Sequence, residues 1–311
     1  MSEIDPSGTA PPDRLPIPSQ TPLFHALERD RYRRQEQIGA LEQRTGRRLI
    51  CYVAGPAASI TARDILPFVD LLEDVERGSD LDLLLHTSGG DVDQAERLAG
   101  LCRKRVGPAG SFRVIVPDSA KSAGTLICLA ADRIVMGQPS ELGPIDPQIV
   151  IQRDASGEEF TRPAQSFLDG LQDIVQETGA GQLSPAYFPL LDKLDPALID
   201  FCKKALRRSE ELATRYLAHY MLRGRPDCMR RAKEIAHELN NVERFLSHGA
   251  VIDAERALGL GLVVEILDPD DDVWQGYWRL YCEQSMALGA PTARLFEGRR
   301  ASILASYQSG Q

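Results

Sequence analysis

Between Arg48 and Met136 short apolar runs alternate with amphipathic ones, and this period limits the chain to one class of fold. Arg48–Val53, Leu81–Leu85, Phe112–Val116 and Arg133–Met136 read as strands. Ala62–Val75, Gln94–Val106 and Ala123–Ala131, which lie between or after them, carry helix-spaced apolar positions. A strand that is followed by a helix and another strand returns parallel to its predecessor, so the pattern predicts a layered α/β fold around a parallel sheet.

The alternation stops after Met136. Residues 160–240 read mainly as helix, with amphipathic runs at Pro196–Leu222 and Met229–Asn240, and are expected to form a helical insertion. Leu262–Leu267 returns as a late strand, which gives a domain over 21–267. The tail 268–311 is expected to be a helical extension, with Trp274–Leu288 as its docked helix. At the other end, residues 1–22 hold six prolines with Ser, Gly and Thr, so 1–20 is expected to be a disordered N-terminal arm. The helix Leu23–Arg44 follows and stops at Thr45-Gly46.

Composition narrows the function classes. With 311 residues, 43% hydrophobic and 26% charged, the chain can bury a substantial core. A net charge of −9 disfavours nucleic acid and anionic lipid as partners. Six scattered cysteines without a Cys-x-x-Cys pair argue for a reducing compartment and against a zinc site or disulfide framework. The first residues lack a basic and an apolar leader region, and no run has the roughly 18–20 apolar residues of a membrane helix. The expectation is a cytoplasmic protein with no membrane span, no cofactor and no metal. The long amphipathic helices of the insertion, if they lie outside the core, would bury a face against another copy; a homo-oligomer is therefore expected.

Two turns carry the chemistry. Thr87-Ser88-Gly89-Gly90-Asp91 follows a strand and opens a helix, so unpaired backbone N–H groups can face a developing oxyanion. Lys121-Ser122-Ala123-Gly124 sets a serine among small neighbours at the start of the next helix, where a carbonyl could reach the hydroxyl. Each turn alone has a plainer reading, as a strand-to-helix connection or an N-cap serine. A third segment, Ser140–Gln148, has Asp146 between Pro144 and Pro147, either lining the cleft beside Ser122 or forming a rigid turn.

Together these segments resemble the superfamily of the Clp protease proteolytic subunit, signal peptide peptidases and crotonases. "LLLHTSGGDVDQAERLAGLCRK" is similar to the Clp-type strand, glycine turn and helix, and "VPDSAKSAGTLICLAADRIVMG" to the nucleophile segment of signal peptide peptidases. "DAERALGLGLVVEIL" resembles the superfamily's closing segment. Within it the chain most resembles the serine dehydrogenase proteinases, through "TPLF", "RRLICY", "LLLHTSGG", "AKSAGTLI" and "SELGPIDPQ". The resemblance implies a crotonase- or Clp-like spiral of ββα units. It also implies Ser122 as nucleophile, with an oxyanion hole from the Gly89-Gly90 turn (Gly90 or its neighbour Asp91) and Ala123. No dinucleotide fingerprint is present, so no dehydrogenase activity is implied.

The base stays open between two residues. No histidine stands where Clp-type enzymes carry theirs, and 160–175 has no lysine for the signal-peptide-peptidase arrangement. His248, beside Gly249, could serve with Asp146 orienting it, in an unusual chain order that triad geometry permits. Lys193 is the rival, provided that burial lowers its pKa. Lys121 should point away from its neighbour Ser122, and His86 reads as a core or supporting residue. The leading expectation is a serine peptidase acting on peptide or protein substrates, with a separate ATPase or adaptor as a possible partner. A crotonase-type acyl-CoA enzyme and a catalytically silent oligomeric scaffold are the alternatives.

Overall fold

Strand β1, Arg48–Ala54, has no charged residue after its first, because both of its faces are covered. Ile50, Tyr52 and Ala54 enter one apolar cluster, and Leu49, Cys51 and Val53 enter another on the opposite face. A computed structural model describes residues 21–153, 159–179, 195–245 and 247–307. Helices α1 (Pro22–Leu27) and α2 (Arg29–Thr45) precede β1, and α3 (Ile65–Glu73), β2 (Leu81–His86), α4 (Val92–Val106) and β3 (Phe112–Val116) follow it. Then come the two-residue β4 (Ser119–Ala120), α5 (Ala123–Leu129), β5 (Arg133–Met136) and β6 (Glu141–Leu142). The hairpin β7 (Gln148–Arg153) and β8 (Glu159–Pro163) leads to helices α6 (Ala164–Gly179), α7 (Pro196–Tyr216), α8 (Cys228–Asn240) and α9 (Val242–Phe245). The chain closes with α10 (Ala254–Leu260), β9 (Val264–Ile266), α11 (Asp272–Ala287), β10 (Ala293–Gly298) and β11 (Ser302–Ser306).

The main sheet has the order β11-β10-β1-β2-β3-β5-β9. Its strands β1, β2, β3, β5 and β9 are parallel, while β10 and β11 add antiparallel at the β1 edge. This is the mixed α/β architecture with a mainly parallel sheet that the alternation predicts. The small β4–β6 pair stands apart from it and carries the serine turn.

The tail, the helices of 160–240 and the hairpin β7–β8 differ from the sequence reading. Beyond Asp268 the apolar pattern leads to a helix alone, yet the tail also supplies β10 and β11. Both strands hold charged or small polar residues that hide the period. Arg294 and Glu297 of β10 are buried, and Glu297 is satisfied by Arg34 at 3.0 Å, Gln284 at 3.0 Å and Ser302 at 2.7 Å. The second difference concerns the helices of 160–240. Leu212, Ala213, Tyr216, Ile235 and Leu239 of α7 and α8 sit in the main core cluster together with sheet residues. This part of their apolar face is thus met within the chain's own core.

Candidate active site

The first turn is fixed by what precedes and follows it. After β2 the main chain continues to pair: Thr87 donates its N–H to Ser119 O at 3.0 Å, and Lys121 N–H donates to Thr87 O at 3.0 Å. The glycine turn and the serine turn are therefore zipped together through β4. Gly89 N–H donates to Thr87 Oγ1 at 3.1 Å, and Asp91 N–H to Ile60 O at 3.0 Å. Of these successive amides, that of Gly90 has no partner among the described residues. Asp91 then caps α4, its carboxylate accepting from Asp93 and Gln94.

Glycine is required at both positions of the bend. Gly89 has φ +108° and Gly90 φ +143°, and a β-carbon on Gly90 would fall 2.3 Å from Ile60 N. A β-carbon on Gly89 would lie 3.4 Å from the Ala123 nitrogen. The bend is seated on the serine turn itself.

Ser122 has φ 51° and ψ −116°, and it alone among the described non-glycine residues has a positive φ. Such backbone strain in a non-glycine residue persists only where the surroundings enforce it. Here they do: Ala120 on one side is paired with Thr87, and the buried Thr125 hydroxyl lies 2.7 Å from Ala120 O and 2.9 Å from Gly143 O on the other. Thr125 also accepts from Gly143 N–H at 3.1 Å, tying the turn to β6. Ser122 is partly exposed, and its hydroxyl makes no hydrogen bond among the described residues. Ala123 N–H, at the first position of α5, is likewise without a partner there.

Asp146 and His248 meet, although they stand far apart in sequence. His248 Nδ1 is 2.9 Å from Asp146 Oδ1, and Asp146 is only 1% exposed. The other Asp146 oxygen accepts from Gln148 Nε2 at 2.9 Å, so the carboxylate is held from both sides. Its loop is fastened by Ile145 N–H to Leu239 O at 2.9 Å and by Ser209 Oγ to Ile145 O at 2.7 Å. With Nδ1 donating to the aspartate, His248 leaves Nε2 as its acceptor. Among the described residues the imidazole makes no hydrogen bond to Ser122.

Lys121 does point away from Ser122, but it is not solvated. Its ammonium pairs with Glu141 at 2.9 Å and donates to Leu142 O and Ala250 O, both at 3.2 Å. It therefore braces the serine turn against both β6 and the loop that carries His248. The sequence signal for this was Gly143: a β-carbon there would stand 2.8 Å from Lys121 Cδ.

His86, as expected of a supporting residue, packs beside Tyr281, and its Nδ1 lies 3.3 Å from Ser119 N–H, 3.3 Å from Tyr281 OH and 3.5 Å from Asp118. Burial pulls its pKa below the usual 6.5, against the opposing pull of Asp118 and Glu141. Lys193, the rival base, lies outside the described residues. Among the described residues no three His, Cys, Asp or Glu side chains cluster as metal ligands, and no helix is long and apolar enough to cross a membrane.

Residues 70–165 match the family described as ClpP-like SDH-type serine proteinase. The chain is 31% identical over 217 residues to MJ0137 of Methanocaldococcus jannaschii, covering 68% of this chain and 63% of that protein. It is 30% identical over 164 residues to MJ1495 of the same organism, covering 52% and 44%. It thus spans less than two thirds of either relative. Similar solved structures include two mutant forms of the 1510-N membrane-bound stomatin-specific protease. One has 18% identity and a TM-score of 0.41, covering 72% of this chain and 82% of that one. The other, in complex with a substrate peptide, has 16% identity and a TM-score of 0.35, covering 76% and 98%. The segment 70–165, in which both the glycine- and the serine-bearing turns lie, is thus similar to the ClpP-like SDH-type serine proteinases.

Proposed function

We propose that this protein hydrolyses peptide bonds through an acyl-enzyme on Ser122, with His248 as base, Asp146 orienting it, and the amides of Gly90 and Ala123 receiving the oxyanion. The observation that carries the reading is Ser122 itself: a strained, partly exposed serine with an unengaged hydroxyl, packed against a diglycine bend. Asp91 and Gly89 are poor oxyanion donors because Ile60 O and Thr87 Oγ1 already occupy their N–H groups.

In this mechanism the Ser122 hydroxyl attacks the scissile carbonyl while its proton passes to His248 Nε2. The carbonyl oxygen becomes an anion facing two fixed amide dipoles, whose orientation needs no reorganisation during the reaction. His248 then returns the proton to the departing amine. Water, deprotonated by the same imidazole, releases the acyl group. Asp146 keeps the donor nitrogen of the ring turned inward throughout. Substrate binding is expected to draw the His248 loop onto Ser122, since catalytic hydrogen bonds are often long in unliganded enzymes. Lys121 has no part in the proton transfer of this mechanism, since its Nζ is turned onto Glu141 and two carbonyl oxygens.

A fluorophosphonate probe tests the proposal directly. Wild type should be labelled at Ser122 and should turn over casein, and Ser122→Ala should do neither. Equal labelling of the two proteins would remove it and leave the acyl-CoA or scaffold alternatives.

A further inference from the structure

We infer that Arg294, on the C-terminal strand β10, is a positioning residue for the oxyanion hole, acting through the loop 58–61 on the Gly89-Gly90 bend. The inference rests on the proposed acyl-enzyme mechanism. Its observation is a chain of contacts that reaches the bend from a part of the sequence outside the matched family segment.

Ile60 gives both of its backbone groups to the bend. Its N–H donates to Gly89 O at 2.8 Å, and its carbonyl accepts from Asp91 N–H at 3.0 Å. These two bonds straddle Gly90, whose amide is the free one. Any slack in Ile60 therefore passes straight to the donor. Ile60 is itself held on both sides. The preceding carbonyl, Ser59 O, accepts from an Arg294 guanidinium nitrogen at 2.5 Å. The following amide, Thr61 N–H, donates to Asp64 Oδ2 at 2.7 Å.

Arg294 and Asp64 also form a pair, Nε to Oδ1 at 3.1 Å, with side chains 5% and 0% exposed. Nε and Oδ1 are misaligned for a hydrogen bond, so the contact is electrostatic. Tyr52 OH donates to Asp64 at 3.0 Å, and the remaining arm of Arg294 donates to Thr292 O at 2.9 Å. Tyr307 covers the guanidinium at 4.8 Å. Parallel main-chain bonds join the same two regions: Gly55 N–H to Ala293 O at 2.8 Å and Ala57 N–H to Pro291 O at 3.0 Å.

Only arginine fits this post. Its planar fork meets a carboxylate and two carbonyls that diverge around it, whereas a lysine ammonium is a single point that cannot span them. A partly released Ile60 would leave substrate binding alone and misplace the amide that faces the transition state, an error that costs about 10²-fold for roughly 1 Å.

The test uses the full-length chain with a peptide substrate and a peptide aldehyde, whose hemiacetal oxygen occupies the oxyanion position. Arg294→Lys is expected to lower kcat by about 10–100-fold and to weaken the aldehyde by a similar factor, with KM within about twofold. Arg47→Lys is the control: Arg47 is also largely enclosed, its side chain 11% exposed and paired with Asp82, but has no contact with the bend, and it should leave kcat unchanged. Should Arg294→Lys not fold, Asp64→Asn keeps the shape of the pair and should lower kcat in the same way by about tenfold. Full kcat and aldehyde affinity in a folded Arg294→Lys or Asp64→Asn protein, a loss confined to KM, or an equal kcat loss in Arg47→Lys would each overturn the inference. A wild type that shows no Ser122-dependent labelling would instead overturn the peptidase reading, and this inference with it.

Discussion

A β-carbon on Gly89 would stand 2.8 Å from the β-carbon of Ser122, closer than two such carbons can approach. The two turns, a strand and a helix apart in sequence, are in van der Waals contact with nothing between them. Gly89→Ala should push the serine turn away and also strain a residue at φ +108°. The expected result is a loss of about 10²-fold in kcat/KM and in the rate of fluorophosphonate labelling. Unchanged labelling kinetics in Gly89→Ala would contradict the role given to this contact.

The Asp146–His248 pair predicts a non-additive pattern. His248→Ala and Asp146→Asn should each lower kcat by about 10³–10⁴-fold, and the double variant should be no slower than the worse single one. Single-turnover acylation rates of the four proteins decide this. If the two losses multiply, the residues do not act as a unit.

Lys121 makes a different prediction from a base. Lys121→Met removes an ammonium from Glu141 and from two carbonyls, with side chains 15% and 26% exposed, so solvent screens part of the loss. A stability loss of about 1 kcal/mol is expected, read as a fall of about 2–4 °C in Tm. Activity should drop by about tenfold as the His248 loop loses its anchor, with Ser122 still labelled. Labelling as low as in Ser122→Ala would make Lys121 the base after all.

His86 predicts a stability that depends on pH. Burial holds its pKa below 6.5, so in acid the unfolded chain binds a proton that the folded one resists. The folded state therefore keeps this contribution above 6.5 and loses it as pH falls from there towards the lowered value. Protonation would also oppose the donation of Ser119 N–H to Nδ1, while Asp118 and Glu141 facing the ring limit the effect. Urea unfolding at about pH 7.5 and 5.5 should show a steeper fall for wild type than for His86→Gln. Equal slopes would reject the assignment.

Much of the candidate site was legible because its turns are local features of the chain. Gly89-Gly90 and Lys121-Ser122-Ala123-Gly124 each mark a strand-to-helix turn, and the strands leading to them fall where the period puts them. The tail was not legible. Arg294 and Glu297 break the apolar pattern of β10, and their burial is tolerable only because partners such as Asp64, Arg34 and Gln284 arrive from elsewhere in the chain. The hairpin β7–β8 was missed for a related reason: Glu159–Pro163 has the composition of a loop and becomes a strand by pairing with Gln148–Arg153.

The sequence alone determined the α/β class and the two turns, since backbone periodicity and glycine's access to positive φ are properties of residues and their near neighbours. Only the tertiary structure decided which amides stay free and where Lys121 points. It alone brought His248 to Asp146 and Arg294 to the loop behind the diglycine bend. Those outcomes depend on which groups compete for the same donor or acceptor, and the competitors lie up to more than two hundred residues apart.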